Sequence, residues 1–216
     1  MGFLLYSIFA LPLWCSSFAL YFILRRAGLM RESLIAKCAG SFLSVASAGA
    51  GYCVVYGELP LAHPGFWFFV LCTAADALLE ISFVPGMLLF GAAHACLIVW
   101  LWGLAPVSWG SLAVWLISYA VAFWLFRKEL PKLGKLLVPF CLYPALLGGS
   151  LALGAMLPFA AGADYWPLAL GTLCFFVSDM MVAKSELSGL DPKWQTPIML
   201  LYWGALYLIS WAFWLI

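Results

Sequence analysis

Two aspartates stand inside long apolar segments of this sequence, Asp76 within Phe66–Phe83 and Asp179 within Gly171–Lys184. A carboxylate is costly to bury in such a segment, so it is by default a functional candidate that needs a partner. Two carboxyl groups in one desolvated site can share a proton near neutral pH. The pair is therefore a candidate for general acid–base catalysis, with one group protonated and the other ionised.

Other polar residues in or beside apolar segments could complete such a site. Asp76 and Glu80 lie four residues apart and share a helix face, so their charges repel unless a cation or a proton intervenes. The best partner for Asp76 is Asp179 itself. The remaining candidates, which could orient water or substrate or meet a headgroup, are Lys37, His94, Tyr143, Ser178, Lys184 and Tyr202.

Each of these residues also has a simpler interpretation. Glu80 could be a solvated acid at the membrane interface, and Asp76 could form a structural ion pair with Lys37. Ser178 more commonly bonds to its own helix backbone than acts as a nucleophile. Packing or hydrogen bonding between helices would account for the rest, namely Asp179, His94 and Tyr143.

Several chemistries lack their residues here. A zinc hydrolase needs several histidines, and of the two in the chain only His94 lies in an apolar segment. A Ser-His-Asp hydrolase would carry a nucleophile elbow such as GxSxG, which is absent from the sequence. Intramembrane aspartyl proteases carry a GxGD motif, whereas the two aspartates here follow Ala-Ala and Val-Ser. We therefore predict no metal and no cofactor.

Composition places the chain in the membrane. It is 67% hydrophobic and 9% charged, whereas a soluble domain carries about 25% charged residues. A length of 216 residues predicts a single integral membrane domain over residues 1–216. The net charge of +1 lacks the excess of positive charge that is typical of nucleic-acid-binding proteins. The bilayer is the expected environment, and the sequence favours no particular oligomeric state.

Eight segments are long enough to cross a bilayer, which takes about 20 apolar residues. They predict an all-α, polytopic membrane protein built as a bundle of eight transmembrane helices. The third and fourth are separated only by Val84 and Pro85, which indicates a tight hairpin. The predicted spans are Phe3–Leu24, Ser33–Val55, Pro64–Phe83, Pro85–Gly103, Val107–Phe126, Leu136–Pro158, Tyr165–Ala183 and Thr196–Ile216.

Basic residues predict the orientation of these spans. All ten lie at the first, fifth and seventh connections, and the alternate connections carry none. Lys and Arg favour the cytoplasmic side, so both termini are predicted on the non-cytoplasmic side. This orientation puts Asp76, Glu80 and Asp179 in the cytoplasmic halves of their spans, with Lys37 near the same depth and His94 near mid-membrane.

Two stretches resemble motifs of a known family. Leu71–Ala95 resembles an acidic third span followed by the pattern F..G...F...H, and Gly171–Lys184 contains FxxSD. Lys37, Tyr143 and Tyr202 fall at further polar positions of that family. The chain is thus similar to the YhhN-like lysoplasmalogenase family, from about Lys37 to Tyr207. It resembles a divergent member, with departures at Ala75, Leu97, Gly204 and Ala205.

The resemblance implies a hydrolase that cleaves the vinyl ether bond of a lysoplasmalogen, a lysophospholipid. The products would be a fatty aldehyde and a glycerophospho-alcohol. Asp76 and Asp179 would supply the acid and the base, much as two carboxyl groups do in glycoside hydrolysis, and Lys37 or Lys184 could hold the phosphate. Two alternatives remain open: a small-molecule or proton-coupled transporter that uses the same acids, and a non-catalytic lipid-binding scaffold. A transporter of this kind would be expected to show an internal repeat and broken helices.

Overall fold

The structure is a computed structural model, which describes residues 2–189 and 191–215. In this part of the chain every regular element is helical, and eight helices are long and apolar enough to cross a membrane. The predictions of an all-α fold and of eight spans are confirmed, and the chain is a multi-pass membrane protein. The helices are α1 (Gly2–Arg26), α2 (Met30–Tyr56), α3 (Pro64–Ile81), α4 (Phe83–Leu104), α5 (Trp109–Phe126), α6 (Leu137–Ala160), α7 (Trp166–Ser188) and α8 (Gln195–Ser210).

The chain forms two compact units, and each is described here by itself. The first comprises Met1–Cys96 together with Ser210–Ile216, and the second comprises Leu97–Ile209. The prediction of a single domain over the whole chain stays a prediction. Ile216, the predicted end of the last span, lies outside the described residues, and α8 is followed by a 3-10 turn at Trp211–Trp214.

In the first unit α2 packs against both α1 and α3. Small side chains recur every four residues on α2, at Gly40, Ser44 and Ala48, and such spacing lets helices approach closely. The indole Nε1 of Trp14 on α1 donates to the Gly40 carbonyl at 2.8 Å. Ser44 and Ala48 are fully buried. On the same helix, Lys37 and Ser41 contact Asp76 of α3.

The turn between α3 and α4 lies two residues earlier than the sequence predicts. Ser82 alone separates the two helices in an extended conformation, and α4 already includes Val84 and Pro85. Proline is tolerated in a first helical turn, because the amide hydrogens there have no partner within the helix. At Gly86 an added Cβ would lie 2.7 Å from the Leu79 backbone, so the hairpin requires glycine at this position.

In the second unit α6 packs between α5 and α7. Glycines on α6 allow both contacts: a Cβ at Gly148 would meet the Ser118 hydroxyl at 2.6 Å, and one at Gly154 would meet Thr172 at 2.5 Å. Helix α7 continues to Ser188, beyond the predicted end at Ala183, and stops at Gly189, which has a φ of 66°. Lys184 therefore lies inside α7.

Candidate functional site

Asp76 is the centre of a buried polar cluster in the first unit. Its side chain is 1% exposed and lies between α3 and α2. The Lys37 ammonium is 3.3 Å from Oδ1, and the Ser41 hydroxyl donates to Oδ2. Both oxygens of the carboxyl group thus contact donors from α2. A buried carboxylate is tolerated when it is both paired and hydrogen-bonded.

Glu80 extends this cluster toward the end of α3. Its Oε1 is 3.8 Å from Lys37 Nζ, and its Oε2 accepts a hydrogen bond from Arg25 Nη1 at 3.1 Å. The Glu80 side chain is 27% exposed, compared with 6% for Lys37. The cation between Glu80 and Asp76 resolves the repulsion that their spacing predicts. The interpretation of Glu80 as simply solvated is therefore wrong: it forms two ion pairs.

His94 lies on α4 in the same unit and is 1% exposed. Its imidazole packs edge-on against the Phe68 ring, with 5.9 Å between the centroids. Such a contact is typical of a histidine that helps to pack a helix interface. A role for His94 in orienting substrate stays a prediction.

Asp179 has a different environment in the second unit. It is 9% exposed on α7, and the Tyr143 phenol of α6 donates to its Oδ2. Tyr143 precedes Pro144, which lies inside α6. The donor is neutral, unlike the ammonium that faces Asp76. The structure therefore brings together two of the predicted site residues in this unit, as it brings together Lys37, Asp76 and Glu80 in the first.

Two further predicted residues of the second unit contact other helices. The Ser178 hydroxyl donates to the Ile198 carbonyl of α8 at 3.0 Å. It bonds a neighbouring helix instead of its own backbone, contrary to the simpler interpretation. Tyr202 on α8 is buried, and its ring meets the Phe175 ring edge-on at 5.4 Å. Both residues fix α8 against the helix that carries Asp179.

Lys184 is paired at the end of α7. Its ammonium is 2.5 Å from Glu129 Oε1, an oxygen that also accepts from the Ser188 hydroxyl at 2.6 Å. The Lys184 ammonium additionally lies 5.7 Å from the centroid of the Phe126 ring. The hydrogen bonds from Lys184 and Ser188, together with the Lys184 charge, hold the pKa of Glu129 well below its ordinary range, at about 2. Glu129 is therefore ionised at any physiological pH.

Sequence reasoning missed four members of these clusters: Ser41, Arg25, Glu129 and Ser188. A signal existed for two of them. Ser41 follows Lys37 by four residues and thus shares its helix face, and Glu129 is the one acid in the basic connection between α5 and α6. Nothing in the sequence indicates that Arg25 reaches Glu80, because the two residues are 55 positions apart.

No metal centre is evident in residues 2–189 and 191–215, where no three His, Cys, Asp or Glu side chains come together in a suitable group. The arrangement instead offers two buried carboxyl groups in unlike surroundings. A scan against protein-family models matches the YhhN family over residues 33–213. The chain belongs to the YhhN family. Neither the curated proteins nor the solved structures contain a match.

The YhhN match covers both aspartates and every other predicted site residue. The predicted resemblance to this family is thereby confirmed. Family membership and the eight spans together identify a multi-pass membrane protein of the YhhN family. The orientation of its termini stays a prediction that rests on the distribution of basic residues.

Proposed function

We propose that this YhhN protein hydrolyses the vinyl ether bond of lysoplasmalogens. The observation that carries the proposal is the pair of buried aspartates, one facing an ammonium group and the other a neutral phenol. A membrane location suits a lysolipid substrate, whose chain lies in the apolar layer and whose phosphate lies at the interface. The products are a fatty aldehyde and a glycerophospho-alcohol.

The reaction needs one proton donor and one carboxylate. Protonation of the outer vinyl carbon gives an oxocarbenium ion, and water adds to the carbon next to oxygen while losing its proton to a base. The resulting hemiacetal breaks its other C–O bond to give the aldehyde and the alcohol. In that breakdown the protonated base would return its proton to the leaving oxygen, and the ionised acid would take the hydroxyl proton of the hemiacetal. One water molecule is consumed and both groups regain their starting states, as in glycoside hydrolysis.

The surroundings of the two aspartates support unequal roles. Asp76 contacts the Lys37 ammonium through one oxygen and the Ser41 hydroxyl through the other, so a carboxylate at this position is both paired and hydrogen-bonded. It would stabilise the oxocarbenium ion and accept the proton of the attacking water. Asp179, which accepts a hydrogen bond from the neutral phenol of Tyr143, would carry the proton for the vinyl carbon.

The contacts of the two lysines refine their expected roles. Lys37 is 5% exposed and pairs with two carboxylates, which supports a role as the counter-ion of Asp76 beside its predicted contact with a headgroup. Lys184 lies five residues beyond Asp179, or roughly 7–8 Å along the helix axis. A phosphate near Lys184 would put the vinyl ether of a lysolipid close to the depth of Asp179.

The test is aldehyde release by the purified protein. A lysoplasmalogen and its saturated ether analogue would be supplied at equal concentration in the same detergent. We expect aldehyde only from the vinyl ether, and none from a matched preparation of Asp179→Asn. If the wild-type protein binds both lipids and releases no aldehyde, the proposal fails and the transporter or scaffold interpretation gains support.

A further inference from the structure

The connection between α5 and α6 carries an unusual concentration of unpaired positive charge. In the part of the chain that the structure describes, four of the ten basic residues have an acidic partner within 4 Å: Arg25, Lys37, Lys184 and Lys193. Six have none there. Four of these six lie in one connection and are exposed, namely Arg127, Lys128, Lys132 and Lys135.

The acid of this connection is turned away from those cations. Glu129 Oε1 is bound to the Lys184 ammonium and the Ser188 hydroxyl of α7. Its Oε2 is buried and, among the described residues, has no hydrogen-bond partner. Glu129 is therefore committed to α7, and it does not neutralise the exposed charges on either side of it in sequence.

The backbone of the connection is ordered instead of forming an open loop. Two 3-10 turns, Leu130–Lys132 and Gly134–Leu136, follow one another. The Lys132 amide donates to the Glu129 carbonyl at 2.9 Å, and the Leu136 amide donates to the Leu133 carbonyl at 2.9 Å. The backbone positions of the four cations are therefore fixed, and the backbone of the connection need not become ordered when it meets a charged surface.

The same cations border the apolar surface of the spans. Arg127 lies over the indole of Trp124, at 5.1 Å from the ring centroid, and Trp124 is 65% exposed. On the other side of the connection the apolar side chain of Val138 is 66% exposed. An interfacial tryptophan and an exposed aliphatic residue beside the cations indicate that they lie at the depth of lipid headgroups.

We propose that the basic connection, Arg127–Lys135, is a binding surface for anionic phospholipids of the adjoining leaflet. Clusters of four or more Lys and Arg residues next to a transmembrane helix attract such lipids, and each charge near the surface contributes about 1 kcal/mol. The surface is separate from the two aspartates and does not depend on the proposed hydrolysis.

The experiment compares lipid retention by the full-length protein. Wild type would be incubated in mixed micelles that contain phosphatidylglycerol and phosphatidylcholine with the same acyl chains, and bound lipid would be quantified after washing. We expect enrichment of phosphatidylglycerol, and a loss of that enrichment by about 30-fold in Lys132→Gln/Lys135→Gln, which removes two of the charges. The matched control is Arg26→Gln/Arg31→Gln, which removes two unpaired charges elsewhere and should retain most of the enrichment.

Two further measurements control for free-anion binding and for loss of folding. Inorganic phosphate should displace the lipid no better than sodium chloride of equal ionic strength, because the surface binds a charged leaflet instead of a free anion. Thermal melts verify that each variant is folded. Equal retention of the two lipids by wild type would overturn the proposal, and so would equal losses in the two double variants or selective displacement by phosphate.

Discussion

The two aspartates differ in the charge of the groups that contact them. Asp76 is held by a lysine and a serine from α2, and its lysine also reaches Glu80 and, through it, Arg25. Asp179 accepts a hydrogen bond from a tyrosine of α6. A nearby ammonium group favours a negatively charged partner, whereas a phenol can form a hydrogen bond with either the ionised or the protonated form of a carboxyl group.

In the proposed hydrolysis this contrast would let one residue type supply both the acid and the base. In the proposed reaction Asp76 would be the carboxylate and Asp179 the acid. Substitutions at and around the two aspartates test the contrast, and those that remove a carboxylate should have the largest effects.

The strongest test removes each carboxylate in turn. Asp76→Asn and Asp179→Asn should each lower the rate of aldehyde release by about 10²–10⁴-fold, which is the usual range for a general acid or base. Because the two groups would act as a unit, the double variant should be little worse than either single one. Rates would be measured on folded protein that still binds the saturated ether analogue.

The control for this test is the neutral replacement of the whole ion pair. If Asp76→Asn folds poorly, Lys37→Met/Asp76→Asn removes both charges and provides a folded inactive variant. Near-normal turnover in either folded aspartate variant would contradict the two-carboxylate mechanism. A loss of activity that merely follows a loss of folded protein would support the packing interpretation.

The partners of the two aspartates should contribute unequally to stability. Lys37→Met leaves a buried carboxylate without its cation, which should lower the free energy of unfolding by about 3–5 kcal/mol. Tyr143→Phe removes one interhelical hydrogen bond and should cost only about 1 kcal/mol. Unfolding in mixed detergent micelles would be followed by circular dichroism for both variants.

The Lys37 effect should also be reversed by a second substitution. Lys37→Met/Asp76→Asn should recover most of the lost stability, because it leaves no unpaired charge at Asp76. If Tyr143→Phe were as destabilising as Lys37→Met, the contrast between an ionic and a neutral environment would not hold.

A smaller effect is expected at the exposed end of the first cluster. Glu80→Gln removes pairs with Arg25 and Lys37, but Asp76 keeps its own contacts with Lys37 and Ser41. Partly exposed ion pairs contribute about 0.2–1 kcal/mol, so stability should fall by that amount and activity should stay within a few-fold of wild type. The rate of aldehyde release would be measured for Glu80→Gln and for Arg25→Gln. A loss of activity in Glu80→Gln as large as that in Asp76→Asn would show that Glu80 belongs to the catalytic group.

The smallest effect is the pH dependence of the Glu129 contact. The folded pKa of Glu129 is about 2, below its ordinary value of 4.5. A lowered carboxyl pKa contributes stability that is fully present above the unfolded value and is lost as the pH falls through the folded one. The difference in melting temperature between wild type and Glu129→Gln should therefore be constant above about pH 5 and shrink between about pH 4.5 and 2. A difference that changes between pH 6 and 8 would show that another group controls it.

The sequence by itself predicted the eight spans and the buried polar residues. Hydropathy is a local property, and a bilayer imposes the same length requirement on every span, so the segments could be identified one at a time. The motifs around Asp76 and Asp179 also indicated the family correctly. The predicted helix ends differed where capping decided them, as at Ser82 and Gly189.

Only the tertiary structure decided which polar groups meet. Three contacts join residues that are 35, 36 and 55 positions apart: Ser41 with Asp76, Tyr143 with Asp179, and Glu129 with Lys184. Each contact depends on how far one helix is rotated and shifted against another, and a shift of a single turn would break it. Hydropathy and periodicity carry no information on that rotation, because the packing of small residues at the helix interfaces fixes it.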